Sequence, residues 1–199
     1  MASEQPVYLQ PYERASREHG GGFGSLLWAS PVTQRTRFEA ICRMVDLTGR
    51  SVLDVGCGRA DFLDYLLGRN VRIAEYTGIE GVPALVEAAQ AKGHANARIL
   101  QADFVAEPER LRVGADVVVI CGSLNTMDAR DFYATIERAF EAAGQMLVFN
   151  FLCSPQLAGA SYLSWHRTDE VMTFVQSFSQ RVRKLEDYLT GDCTVAVGK

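Results

Sequence analysis

The sequence predicts an α/β domain: a doubly wound, mostly parallel sheet with helices on both faces, closed by an antiparallel C-terminal hairpin strand. Three observations carry that expectation. Short runs rich in Val and Ile at 51–55, 75–79, 97–101, 115–121 and 145–151 alternate with amphipathic stretches, the pattern of strands buried on both faces. A glycine-rich turn, "DVGCGRAD" at 54–61, joins the first of these runs to a helix. The alternation then stops after residue 151, and two consecutive strands near 181–188 and 193–198 meet across "LTGD", a hairpin-type turn.

Taken in order, the first 30 residues read as an irregular segment carrying Tyr8, Pro11, Tyr12 and the run "HGGGFG" at 19–24. Ser30 and Pro31 are an N-cap followed by proline at the first helical position. Phe38, Ile41, Cys42 and Val45 repeat at helical spacing, with Gly49 as the stop. Helices are expected over 60–68, 83–92 with Pro83 in the first turn, a short one near 106–111, and 129–142 capped by Asp128. A loop, 152–167, leads to a helix capped by Thr168, with Val171, Phe174, Val175 and Phe178 on its apolar face. "RVRK" at 181–184 alternates across an edge strand, where charge discourages sheet-to-sheet association. The expected organisation is a single domain, 1–199, with a lid-like segment over 1–30 and the α/β core over 31–199.

Composition narrows the function classes. A net charge of −4 argues against a general nucleic-acid or anionic-membrane binder, because Lys and Arg carry phosphate affinity. Cys42, Cys57, Cys121, Cys153 and Cys193 are scattered without a CxxC pair, so neither a disulfide framework nor a thiolate metal site is expected. Four of them lie in or beside apolar runs, as buried inert thiols do. "MASEQPVYLQ" lacks a basic and apolar leader pattern and no 18-residue apolar span occurs, so a cytoplasmic protein is expected.

The glycine turn selects among cofactors. In a dinucleotide fingerprint starting at Gly56 and Gly58 the third small position falls on Asp61, and a carboxylate there opposes a pyrophosphate. A GxGxG spacing instead places Ala60 third. Asp54, two residues before the first glycine, suits a cationic ligand.

On these residues the sequence resembles the class I S-adenosylmethionine-dependent methyltransferases. "VLDVGCGRA" is similar to their motif I, with Ala60 in place of the last glycine. The resemblance implies a Rossmann-like, seven-stranded sheet and a donor held by Asp54, Gly56, Cys57 and Gly58. "YTGIE" at 76–80 places Glu80, followed by Gly81, at the ribose hydroxyls, where a carboxylate accepts two hydrogen bonds at once. "ILQADF" at 99–104 gives Asp103 to accept from the adenine amine and Phe104 to donate its backbone N–H. "DVVVICGSLNT" at 116–126 stands at motif IV and adds Cys121 to the cofactor set. The likeness covers about 35–199. A looser one, to a group of small bacterial methyltransferases, rests on Trp28, Ser30, Gln34, Arg37 and Phe38 before motif I.

Several residues keep two readings. Arg37 is either a solvated charge or the partner of the donor's methionine carboxylate. Trp28 is either a lid or core residue, or an aromatic facing the sulfonium. His94 is expected at the surface. His19 and His166 lie in segments that can overhang the sheet, which makes them candidate bases near neutral pH; Asn125 is a candidate for binding the acceptor. The motif that accepts from adenine or glutamine amino groups is absent, with "CGSLN" in its place, so those acceptors are not expected. The leading expectation is methyl transfer to a small molecule held under the N-terminal segment, yielding S-adenosylhomocysteine. The alternatives are a non-catalytic donor-binding scaffold, an enzyme acting on protein or RNA, and a nicotinamide-dependent oxidoreductase.

Overall fold

The computed structural model describes residues 6–199. Its elements are α1 (Gln10–His19), α2 (Pro31–Met44), β1 (Ser51–Val55), α3 (Asp61–Gly68), β2 (Glu75–Glu80), α4 (Pro83–Gln90) and β3 (Ala97–Gln101). They continue with β4 (Val117–Ile120), α5 (Ala129–Ala142), β5 (Met146–Leu152), α6 (Thr168–Gln176), β6 (Val182–Leu185) and β7 (Asp192–Gly198). One seven-stranded sheet has the order β3-β2-β1-β4-β5-β7-β6. Pairing is parallel from β3 through β5, and β7 runs antiparallel to both β5 and β6. The doubly wound α/β expectation holds.

Strand alternation sends successive side chains to opposite faces. Leu53, Val55, Ile79, Val118, Ile120 and Phe149 pack under Phe132 and Ile136 of α5 and Val171 and Val175 of α6. Val52, Tyr76, Val117, Val119 and Val148 pack against Phe38 and Ile41 of α2 and Phe62 and Leu66 of α3. Removing each of these from water is worth about 1.5–3 kcal/mol, and the central strands β1 and β4 are buried almost throughout because both faces are covered.

The local signals fix most boundaries. Ser30 Oγ accepts from the Thr33 N–H at 3.1 Å while Thr33 Oγ1 accepts from the Ser30 N–H, a reciprocal cap at the start of α2. Asp128 Oδ1 accepts from the Asp131 N–H at 2.9 Å and starts α5. Four expectations are corrected. The first 30 residues are not irregular: they hold α1 and a short 3-10 turn, Phe23–Leu26. Helix α1 is mostly polar and Ala15 is its one buried residue, so no apolar stripe announces it, and Gly20 ends it at φ +58°. Helix α2 stops at Met44 rather than near Gly49, because Val45 is extended and Asp46 Oδ1 accepts the Thr48 N–H in a local turn. Thr168 is the first helical residue of α6, its hydroxyl bonded to Glu186 at 2.9 Å, and Arg167 occupies the cap position. Strand β6 covers only 182–185, the following residues forming the connection to β7. Among the described residues no helix is long and apolar enough to cross a membrane.

Candidate functional site

Parallel strands of this sheet end along one edge, where α/β proteins gather ligands. A cavity of about 200 Å³ lies there, between the carboxyl ends of β1, β2 and β4 and the N-terminal segment. Its floor is the turn after β1. The Gly56 and Cys57 N–H groups both donate to the Ile79 carbonyl, at 2.8 and 3.0 Å, which fastens the turn to β2. Gly56 has φ +72°, and a Cβ on it would meet Ser123 Cβ at 2.5 Å. Gly58 has φ +55°, with Leu26 where a side chain would go. Backbone alone fits this cradle.

Acids close the ends of three adjacent strands. Asp54 accepts from the Tyr76 hydroxyl at 2.5 Å, and burial pushes its carboxyl up to about 7 against that hydrogen bond. Glu80 accepts from the Gly58 N–H and the Val82 N–H, both at 2.9 Å; burial still raises its pKa. Asp103, after β3, accepts from the Tyr8 hydroxyl at 2.8 and 2.7 Å and from the Val105 N–H at 3.0 Å. Asp61 is engaged by Lys92 at 2.7 Å and Gln34 at 3.2 Å.

Of the residues singled out from sequence, the structure brings Trp28, Arg37, Asp54, Gly56, Cys57, Gly58, Glu80, Phe104, Cys121 and Asn125 to the cavity wall. Asp103 and Gly81 stand just behind it, Gly81 under Leu9 and Asp103 under Tyr8. The Cys121 thiol is pushed up to about 12 and the Cys57 thiol also rises, both by burial, so neither is a thiolate. Asn125 Oδ1 accepts the Leu152 N–H at 3.1 Å and its carbonyl accepts the Ser164 N–H at 2.7 Å, tying the 152–167 loop to β5.

The histidines lie elsewhere. His19 is half-exposed on α1 and lies outside the cavity wall. His166 stacks on Phe132 at 3.7 Å, away from the wall, and burial lowers its pKa. His94 pairs with Asp64 at 2.8 Å. Arg37 is not a solvated charge: it is buried, bonded to Asp192 Oδ2 through Nε at 2.6 Å and through Nη2, and its Cζ sits 5.0 Å over the Trp28 ring. Tyr8 and Tyr12, noted in the N-terminal segment from sequence, line the cavity, whereas Tyr76 and Asp192 are polar neighbours that the sequence reading missed. Tyr76 reads as an ordinary buried strand residue, and Asp192 as a turn residue.

A fastened glycine turn with acids ending three consecutive parallel strands, in a sheet whose seventh strand is antiparallel, is the architecture of the class I methyltransferase fold. Comparison with known proteins agrees. Residues 52–144 match the family described as "Methyltransferase domain". DhpI, in a complex with S-adenosylhomocysteine, is similar with a TM-score of 0.71 at 16% identity, over 96% of this chain and 94% of that one. The magnesium protoporphyrin IX methyltransferase of Synechocystis PCC 6803, with S-adenosylmethionine bound, gives 0.68 at 14% identity over 100% of both. An S-adenosylmethionine-dependent methyltransferase from Archaeoglobus fulgidus gives 0.64 at 13% identity, over 85% of this chain and 95% of that one. No curated protein matches the sequence. The chain carries a methyltransferase domain on the class I S-adenosylmethionine-dependent methyltransferase fold.

Proposed function

We propose that this protein transfers the methyl group of S-adenosylmethionine to a small-molecule acceptor held beneath the N-terminal segment, in the cytoplasm. The observation that carries the proposal is the cradle itself: a side-chain-free turn at Gly56 and Gly58, flanked by buried acids at Asp54 and Glu80. When bound, the donor supplies an electrophilic methyl on sulfur, and the S–C bond breaks as the acceptor lone pair forms the new bond to carbon. Asp54 offers negative charge toward a cationic donor. Glu80, oriented by two backbone N–H groups, keeps lone pairs for the ribose hydroxyls. Phe104 walls the adenine side, with Asp103 behind it. Tyr8, Tyr12 and Trp28 cover the cavity and exclude water.

The chain's task is then to align donor and acceptor, which is worth about 7–11 kcal/mol in a two-reactant displacement. No histidine lines the cavity among the described residues, which favours an acceptor that arrives as a ready nucleophile. Five free cysteines suit a reducing compartment.

Calorimetric titration with S-adenosylmethionine, S-adenosylhomocysteine and NADH tests the reading on wild type and Asp54→Asn. Saturable binding of both sulfur compounds, weakened about tenfold (~1.4 kcal/mol) by the substitution, is expected. NADH binding alone, or no sulfur-compound binding by folded protein, overturns it.

A further inference from the structure

The three acids that end β1, β2 and β3 are not held in the same way. Glu80 accepts backbone N–H groups from Gly58 and Val82, and Asp103 accepts them from Val105 and Ala106. Asp54 accepts none. Among the described residues its one hydrogen-bond donor is the Tyr76 hydroxyl, on Oδ2 at 2.5 Å. Its neighbours in register cannot supply another: Gly78 on β2 and Val119 on β4 carry no polar side chain. That leaves Oδ1 of a cavity-lining carboxylate for a ligand.

Tyr76 pairs with Val52, two residues before Asp54 on β1, so alternation puts the Tyr76 and Asp54 side chains on the same face of the sheet. The ring is fully buried in the core that holds Val52, Phe38 and Phe62. A ring fixed in a packed core brings its hydroxyl to one place, and its bond to Oδ2 fixes how the carboxylate is turned. The charges around Asp54 do not help it to ionise. Glu80 at the end of β2 and Asp61 at the start of α3 are acids, and the buried Cys57 and Cys121 thiols are neutral. Lys92 and Arg59 face Asp61, and Arg37 of α2 is bonded to Asp192. Of the groups that face Asp54, only the Tyr76 hydroxyl favours the carboxylate over the acid.

We propose that Tyr76 is a positioning residue for the donor: its hydroxyl holds Oδ2 of Asp54, leaves Oδ1 to the cavity and secures the negative charge that a cationic donor meets. The inference rests on the donor site proposed above. Tyr76 acts through Asp54 and lies outside the cavity wall itself.

Donor affinity then follows the ionisation of Asp54, rising with pH through about 7, the value to which burial pushes that carboxyl. Without the hydroxyl the carboxylate loses its one hydrogen bond, which moves the rise up by about one pH unit or more. The test titrates S-adenosylhomocysteine, whose ammonium carries the positive charge, at intervals between about pH 5.5 and 8.5. Tyr76→Phe is expected to show the displaced rise and to bind about fivefold more weakly than wild type near pH 7. In Asp54→Asn the rise is absent, and adding Tyr76→Phe to it changes affinity by less than about twofold. A flat wild-type profile overturns the proposal. So does a Tyr76→Phe loss that is equal at every pH, or one of about tenfold in the Asp54→Asn background, as a purely structural role would give. If Tyr76→Phe does not fold, the double variant, which removes the charge at that site, is compared with Asp54→Asn on the same terms. Failure of folded wild type to bind S-adenosylhomocysteine at any pH overturns both readings, and is told apart because it precedes any substitution.

Discussion

Replacing Asp54 by asparagine should stabilise the protein in a pH-dependent way while weakening donor binding. Asp54 is buried, and its carboxyl is pushed from an ordinary 3.8 to about 7. Between those values the folded protein holds a proton that the unfolded chain has released. Stability therefore falls as pH rises from about 4 to 7 and levels off above. Three pKa units at 1.36 kcal/mol each put the ionised carboxylate at ~4 kcal/mol of destabilisation near pH 8. Near pH 5, where the folded form is protonated, the same relation gives ~1.5–2 kcal/mol. Asparagine never ionises, and its carbonyl oxygen can still accept from the Tyr76 hydroxyl. The stability of Asp54→Asn relative to wild type should thus grow by about 2–3 kcal/mol between pH 5 and pH 8. Guanidinium chloride unfolding of both proteins at both pH values measures this, with most other titrating groups cancelling in the comparison. A difference that stays constant within about 0.5 kcal/mol would refute the account of Asp54 as a carboxylate kept at a cost in stability for the sake of a cationic ligand.

Three further outcomes follow from the geometry. Gly56→Ala puts a Cβ 2.5 Å from that of Ser123 at φ +72°; a loss of about 2 kcal/mol or more, with loss of donor binding, is expected by denaturation and calorimetry. A variant as stable as wild type would contradict the cradle. Ser30→Ala removes the reciprocal cap of α2 and should cost about 1 kcal/mol in a urea midpoint measurement; no shift would mean that the packing of Phe38 and Ile41 alone sets the helix start. Tyr8, Leu9 and Tyr12 line the cavity proposed to hold the donor, so limited proteolysis within the first 30 residues should slow when S-adenosylhomocysteine is added. Identical digests would show that the segment does not cover bound donor.

The core and the cradle were legible because each rests on a local rule. Val and Ile runs mark strands buried on both faces, and no Cβ fits at Gly56, so the turn keeps its signature. Helix α1 was not legible: its side chains are mostly polar and only Ala15 is buried, so the stretch lacks the apolar stripe by which a helix is read from sequence. Nor was the partner of Arg37. Asp192 lies 155 positions away in a stretch that reads as a turn, and only the antiparallel pairing of β7 on β5 brings it beneath α2. The histidines erred in the other direction. His166 sits in a loop that crosses the sheet edge, yet its ring is used to stack on Phe132, because a flat half-buried ring is worth more there as apolar surface than as a base.

Ala60, where the related motif has glycine, tests how much of that pattern is energetically required. It sits at φ +55° in the left-handed region, fully buried among the residues that pack around Phe38, Ile41 and Phe62. The backbone conformation costs an L-residue about 1–2 kcal/mol. Against that, the buried methyl contributes about 0.8 kcal/mol, and alanine avoids about 0.4–1 kcal/mol of the entropy that glycine loses on folding. The two sides nearly cancel. Ala60→Gly should therefore shift the unfolding free energy by less than about 1 kcal/mol and leave donor affinity unchanged, since no side-chain atom of position 60 is needed in the cradle. A gain of ~2 kcal/mol would mean that the methyl contributes nothing to its neighbours. A comparable loss would make the packing of that methyl, rather than the turn, the reason alanine stands there.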